Sequence, residues 1–291
     1  MNVNPIYERE HRVSTRSWRL STAILVFNFI VAGFTLIEMN GVVDYAGKTS
    51  NIDYTSFLQI FKIVVFVPVV LLIFVGPSFI SGAISDERHR GTLEILLTTK
   101  MTAKSIVVGK FLSLLASIMI ILVSQLPISA ILFLYGGITL GDIVKLTLNF
   151  FVFVVLLISM GIFCSSISRK TSIATALLYL AVLILFFGTL VLYFLAANSF
   201  NMNDKNFFSM IFIKVSKFIL LFNPLVSMDF LLSKIMGEDS SDVLVSLFWY
   251  NNWFYINMFL DLSLSVIFLA LSVVKIKPHG KTWRKYGNSN L

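Results

Sequence analysis

Charge is scarce in this chain. Only 13% of its 291 residues are Asp, Glu, Lys or Arg, 57% are hydrophobic, and the mean hydropathy is +0.88. Soluble domains carry about 25% charged residues, so a water-solvated globule is excluded. Intrinsic disorder is excluded by the same figures, because it needs low hydrophobicity and high net charge. Cysteine is nearly absent: Cys164 stands alone, has no internal partner for a disulfide, and lies in an apolar run, which reads as a small buried hydrophobe. The histidines His11, His89 and His279 are far apart, and none stands at metal-ligand spacing. No Gly-x-Ser-x-Gly elbow occurs. The long apolar runs contain no histidine and a single aspartate, Asp261, which removes the residue pairs an intramembrane protease uses.

What fills the sequence is long charge-free stretches. Residues 20–37, 63–85, 111–141, 146–168 and 171–203 contain no charge, and 251–274 is interrupted only by Asp261. A bilayer core needs about 20 apolar residues as helix, so each is a span. Alternating β-barrel patterning is absent, and a backbone in lipid must satisfy its own hydrogen bonds, which leaves a helical bundle. The first run has no small-residue cleavage site after Ile37 and further spans follow, so it reads as a span and not as a leader.

Orientation follows from the basic residues. With both termini inside, the inner segments hold most of the 23 lysines and arginines, among them Arg9, Arg12, Arg16, Arg19, Arg88, Arg90, Lys104, Lys110, Arg169, Lys170, Lys275 and Lys285. The acidic residues Glu38, Asp44, Asp53, Asp142, Asp204, Asp229, Glu238, Asp239 and Asp242 then fall outside. This is the positive-inside pattern for six spans. The net charge of +8 is thereby a matter of topology and contact with anionic lipid, not of nucleic-acid binding. The stretch 207–232 is long enough to suggest a seventh span. Counting it would move the basic tail outside and bury Lys214 and Lys217, and Asn223-Pro224 breaks a helix near its middle. Residues 198–250 therefore read as outer-face structure, with short helices that dip into the bilayer and return.

Between spans two and three lies SDERHRGTLEILLTTKMTAKSIVVGK, in which Asp86, Glu87, Arg88 and Arg90 precede Gly91 and then Leu93, Ile95, Leu96 and Leu97. The pattern suits a short amphipathic helix along the inner interface. An ordinary charged loop obeying the positive-inside rule is the alternative. Attraction to lipid accounts for the basic residues but not for Glu87 and Glu94, which a protein partner would explain.

The segment ISDERHRGTLEILLTTK, followed by IVVGKFLSLL, resembles the signature of type-2 ATP-binding-cassette exporter permeases, including the peptide, toxin and antimicrobial exporters. The opening NPIYEREHRVSTRSWR is similar to that family's amphipathic elbow helix, SMGIFCSSISRKTSIATALLY to its fourth span, inner turn and fifth span, and the Asn223-Pro224 break to its re-entrant region. Lys100 departs from the pattern, standing where the family usually has proline. The resemblance implies an all-α polytopic membrane protein: an elbow helix at 1–18, six transmembrane helices at 19–38, 57–84, 105–135, 143–168, 171–197 and 251–274, a cytoplasmic coupling segment at 85–104, an outer re-entrant region at 198–250 and a basic cytoplasmic tail at 275–291. It implies that a separate cytoplasmic nucleotide-binding ATPase, holding the ATP and Mg that this chain does not, grips Asp86, Glu87, Arg88, Arg90, Gly91, Thr92, Leu93 and Glu94. A second permease chain, identical or similar, would complete the path in a bacterial cell membrane. Span two would transmit the motion, with Pro77 as a kink and the small residues Gly76, Ser78, Ser81, Gly82 and Ala83 as close-packing points, a role that ordinary helix packing explains equally well.

Residues 41–49, GVVDYAGKT, end like a phosphate loop, but five residues separate the first glycine from Gly-Lys-Thr where a phosphate loop has four. The run falls in the outer segment and reads as a turn-rich loop, so the nucleotide site belongs to another polypeptide. Lys62 and Asp261 both fall in the outer half of the membrane. They either form an ion pair, line a substrate path, or stand apart with Lys62 snorkelling. An ion-coupled secondary transporter using these two charges is the main rival to the ATP-driven exporter, and a membrane scaffold is a third reading. The compact outer region favours a hydrophobic or amphipathic cargo such as a peptide, with lipid or lipid-linked glycan as the alternative.

Overall fold

The computed structural model describes residues 6–10, 17–49, 54–98, 101–127, 139–199, 207–237 and 247–276. The regular elements among them are helices: a short stretch at 6–10, α1 (Trp18–Thr49), α2 (Tyr54–Ile80), α3 (Gly82–His89), α4 (Thr92–Thr98), α5 (Ala103–Val123), α6 (Leu140–Ile167), α7 (Thr171–Val182), a π-helical turn (Leu183–Gly188), α8 (Thr189–Ser199), α9 (Phe207–Leu220), α10 (Pro224–Met236) and α11 (Leu247–Ile276). Among the described residues six stretches are long and apolar enough to cross a bilayer: Leu20–Gly41, Phe61–His89, Ala103–Val123, Gly141–Ile167, Thr171–Ala196 and Asn252–Ile276. The all-α, six-span architecture expected from the sequence is the one observed.

Helix α6 is the axis of the bundle. Of its span 78% is buried, against 22% for the first, fifth and sixth spans. That position explains its sequence, which is apolar on every side where a peripheral helix needs only one apolar stripe. Every residue from Val152 to Ile162 is buried. Gly161 fixes how closely its neighbours approach: a Cβ there would lie 2.2 Å from Cγ2 of Ile80 on α2 and 3.0 Å from Cδ2 of Leu178 on α7. No other residue fits without moving backbone or side chains. The start of α6 is capped by Thr139, whose hydroxyl accepts from the Asp142 N–H (3.3 Å) and donates to the Asp142 carboxylate (2.6 Å), a reciprocal cap of the kind expected at a helix N-terminus.

The third span, expected to run to 135, breaks after Val123, where α5 ends because Pro127 has no N–H to offer the Val123 carbonyl; residues 126–127 are helical again, and 128–138 lie outside the described residues. One expectation is corrected: the run 41–49 is not a loop, since α1 continues through it to Thr49. Once a helix is nucleated, a glycine costs it only about 1 kcal/mol, and a helical backbone cannot wrap a phosphate.

The segment 207–232 folds as two helices, α9 and α10, that meet at 88°. At the corner Asn223 accepts from the Leu225 N–H (3.0 Å) and so caps α10, with Pro224 in the first turn, where its missing N–H is not needed. Buried amides tie this hairpin to the spans around it. Asn223 Nδ2 donates to the Phe186 carbonyl and to Thr189 Oγ1, both at 2.8 Å; Asn149 Nδ2 on α6 donates to Ser227 Oγ at 3.0 Å; Asn257 Nδ2 on α11 donates to the Leu221 carbonyl at 2.7 Å. The Phe186 carbonyl lies in the π-helical turn and accepts from the Thr189 hydroxyl as well (3.3 Å).

Candidate functional site

At the opposite end from the hairpin, α2 passes into α3 through an irregular turn at Ser81, four residues after Pro77. Pro77 itself lies inside α2. A helix start leaves N–H groups without intrahelical partners. Here Ser165 of α6 takes them, its Oγ accepting from the Ile84 and Ser85 N–H groups at 2.9 and 2.8 Å. Ser81 Oγ and Thr175 Oγ1 of α7 share a hydrogen bond of 2.7 Å, and the Tyr179 hydroxyl donates to the Phe74 carbonyl. Helix α3 is thus bolted to α6 and α7 by hydroxyl groups before its charges begin.

Those charges separate by helical face. Asp86 and Arg90, four apart, face outward with side chains 53% and 74% exposed and 4.0 Å between them; His89 is exposed as well. Glu87 and Arg88 turn inward. The Glu87 carboxylate is 12% exposed and meets Lys110 of α5 at 2.9 Å and Arg9 at 3.4 Å. Lys110, itself only 6% exposed, also meets Glu10 at 3.5 Å, which Arg9 contacts at 3.1 Å. Arg88 Nη1 donates to the Ser168 carbonyl at the end of α6 (3.1 Å). One buried lysine therefore clasps the stretch 6–10, the end of α3 and the start of α5.

Gly91 then reverses the chain. Its φ of +71° lies in the left-handed region, which an L side chain enters at a cost. Hydrogen bonds from Arg90 N–H to the Asp86 carbonyl (3.0 Å) and from Gly91 N–H to the Arg88 carbonyl (3.2 Å) close the turn. Thr92 is exposed, and its hydroxyl donates to the Glu87 carbonyl (3.1 Å). Leu93 is buried in the core. Glu94 is on α4, and its side chain lies outside the described residues, as do Lys100, residues 1–5 and 11–16 of the elbow segment, and the tail from 277.

The structure therefore divides the charged cluster read from the sequence. Asp86, His89, Arg90, Gly91 and Thr92 form an exposed knuckle, and Glu87, Arg88 and Leu93 hold it in place. Sequence reasoning missed Glu10, Ser165, Ser168 and Thr175 as parts of the site and counted Lys110 only as an inside-positive residue. The signal for the split was present in the i, i+4 spacing of Asp86 and Arg90, which sets both on one face with Glu87 a quarter-turn away.

The possible pairing of Lys62 with Asp261 is overturned. Lys62 Nζ lies 2.9 Å from Asp229 Oδ1, because the 88° corner folds α10 back across the N-terminal end of α2. Asp261 is fully buried in α11, away from that pair. Two apolar clefts flank α2. One of about 510 Å³ lies between α1, α2 and α5, walled by Phe27, Leu72, Val75, Phe79 and Leu114. The other, about 460 Å³, lies between α2, α5 and α6, next to Met228 of the hairpin. Among the described residues no group of three His, Cys, Asp or Glu is arranged to hold a metal ion.

The family model of the ABC-2 family transporter proteins matches residues 4–276, nearly the whole chain. No curated protein matches.

Proposed function

The chain belongs to the ABC-2 family of transporter proteins and is the multi-pass membrane subunit of an ABC transporter; from that premise we propose that it is an exporter permease driven by ATP hydrolysed on a separate nucleotide-binding subunit. The observation that carries this reading is the exposed knuckle at Asp86, His89, Arg90 and Thr92, mounted on α3, whose other face is fixed to α6, α7 and α5. A push on a knuckle held in this way moves several spans together, where a push on a loose charged loop would be dissipated. The partner, which binds ATP and Mg, docks on the knuckle from the cytoplasm of a bacterial cell. Both termini then lie inside, and a second permease chain, identical or similar, completes the path. The apolar walls of the clefts beside α2 favour a hydrophobic or amphipathic cargo such as a peptide over a glycan.

The test is Asp86→Lys combined with Arg90→Glu, which reverses the knuckle and leaves Glu87, Arg88 and Lys110 in place. The variant is expected to fold and reach the membrane, to lose co-purification with its nucleotide-binding chain and to lose ATP-dependent export in vesicles. Undiminished export would remove the knuckle from the coupling path.

A further inference from the structure

Buried polar atoms without a hydrogen-bond partner gather on one face of α11. Trp253 Nε1, Asn257 Oδ1 and both carboxyl oxygens of Asp261 are all in this state, at successive spacings of four residues. Asp261 is 0% exposed and Asn257 1%. Buried polar groups are normally satisfied, and a cluster of exceptions calls for a missing partner. The unpaired atoms of Asn257 and Asp261 are acceptors, and the unpaired donor, Trp253 Nε1, makes no hydrogen bond to them, so what is missing between them is a donor.

No charged side chain of the surrounding helices supplies one. Helix α11 packs against α6, α10 and α5. On α6, Asp142 and Lys145 pair with each other at 3.2 Å, and Cys164 is a neutral thiol. On α10, Asp229 pairs with Lys62 at 2.9 Å and Lys234 is exposed. On α5, Lys110 is held by Glu87 and Glu10 at the far end of the bundle, and Lys104 is exposed; Lys275 of α11 itself is exposed at that same far end. The Ser265 hydroxyl below donates to the Asp261 main-chain carbonyl, not to its carboxyl group. Asn257 Nδ2 gives one of its two hydrogens to the Leu221 carbonyl, and its second N–H, on the Asp261 side, carries no charge and is no counter-ion. Turned over, that amide would set its own oxygen against the Leu221 oxygen, acceptor against acceptor. An ionised carboxylate without a counter-ion is not held in a dry interior. A metal cation of the hard class needs about six oxygen ligands, more than these two side chains provide. A proton needs one acceptor.

We propose that α11 carries a proton-binding site, in which Asp261 is a neutral carboxylic acid whose O–H is the donor that Asn257 Oδ1 lacks. The proton orients the Asn257 amide, and the amide holds the Leu221 carbonyl at the corner of the α9–α10 hairpin. The hairpin therefore seats against α11 with the proton in place. When it lifts and water reaches the carboxyl group, the proton leaves, so proton release accompanies opening at this end of the bundle.

The test uses the full chain in lipid nanodiscs. At neutral pH, exposed carboxyl groups are ionised, so a carboxylic-acid C=O stretch that persists in the infrared spectrum and shifts in D2O reports a buried protonated acid. The band is expected in the wild-type protein and absent from Asp261→Asn. Thermal unfolding supplies the second readout. The folded state holds a proton that the unfolded chain releases above the ordinary carboxylate range, so wild-type stability falls as pH rises. The Asp261→Asn variant, neutral at every pH and still a donor, is expected to match the wild type at acid pH and to surpass it at alkaline pH. Absence of the infrared band from the wild-type protein overturns the proposal, whether or not the variant folds. So does an Asp261→Asn variant less stable than wild type at every pH, or stabilisation of the wild type by sodium that the variant lacks, which would make the site one for a metal cation.

Discussion

Each end of the bundle fastens a short broken helical segment to the spans, and the two ends use opposite chemistry. The knuckle is held by buried charge: Lys110 between Glu87 and Glu10, and Arg88 on the Ser168 carbonyl. The hairpin is held by neutral amides, Asn149, Asn223 and Asn257, each reaching a different element, and its ion pair among the described residues, Lys62 with Asp229, is partly exposed. Hydrogen bonds between membrane helices average about 0.6 kcal/mol and reach about 1.7, whereas uncoupling a buried charge costs several times that. The charged end is costly to uncouple and the amide end is not, which are the properties that the proposed drive at the knuckle and the proposed opening at the hairpin call for.

The largest effect expected from that contrast is at Lys110. Lys110→Met leaves the Glu87 carboxylate, 12% exposed, without its closest cation, and breaking a buried pair in this way costs about 3–5 kcal/mol. The loss is read as a fall in thermal midpoint of the detergent-solubilised protein. Lys110→Met with Glu87→Gln removes the stranded charge and is expected to recover most of the loss. Equal destabilisation in the single and double variants would mean that the clasp acts through packing and that the two ends do not differ in kind.

How legible these ends were differs in the same way. The six spans could be read from the sequence because a bilayer demands about 20 apolar residues in a row and the runs meet that demand without charge. The knuckle was visible because charges between two such runs stand out. The i, i+4 spacing set Asp86 and Arg90 apart from Glu87, but which of the two faces turns inward was not legible, since only the placement of α5 beside α3 decides it. The hairpin was harder still. Asn149, Asn223 and Asn257 look like any other amides in or beside apolar runs, and their partners are main-chain carbonyls and hydroxyls 34 to 78 residues away. The choice between Asp229 and Asp261 for Lys62 depended on a corner of 88°, which the sequence marks as a break but does not measure.

The next effect down is at the hairpin corner. Asn223→Ala removes the cap on Leu225 and the donor to the Phe186 carbonyl of the π-helical turn. Loss of a cap together with a buried hydrogen bond to a carbonyl that keeps only the longer Thr189 contact (3.3 Å) is worth about 2 kcal/mol, below the Lys110 figure although more bonds are lost. Hydrogen exchange of the 183–199 segment should rise along with the fall in stability. A larger loss than Lys110→Met would reverse the proposed order of the two ends. A smaller change, about 1 kcal/mol, is expected for Gly91→Ala, from forcing a Cβ to φ +71°. Its effect on ATP-driven export should exceed its effect on stability, because it re-aims α4 relative to the knuckle.

The smallest effect separates two lysines with the same chemistry. Lys62 is 34% exposed and its partner Asp229 53%, so water screens the pair and competes for both partners. Exposed pairs of this kind contribute at most about 1 kcal/mol, and less in high salt. Lys62→Met should therefore shift the thermal midpoint far less than Lys110→Met, and the shift should shrink further in salt, while the Lys110 effect, sealed from solvent, should not. If both respond to salt equally, the clasp at Lys110 is wet, and burial is not what makes the driven end rigid.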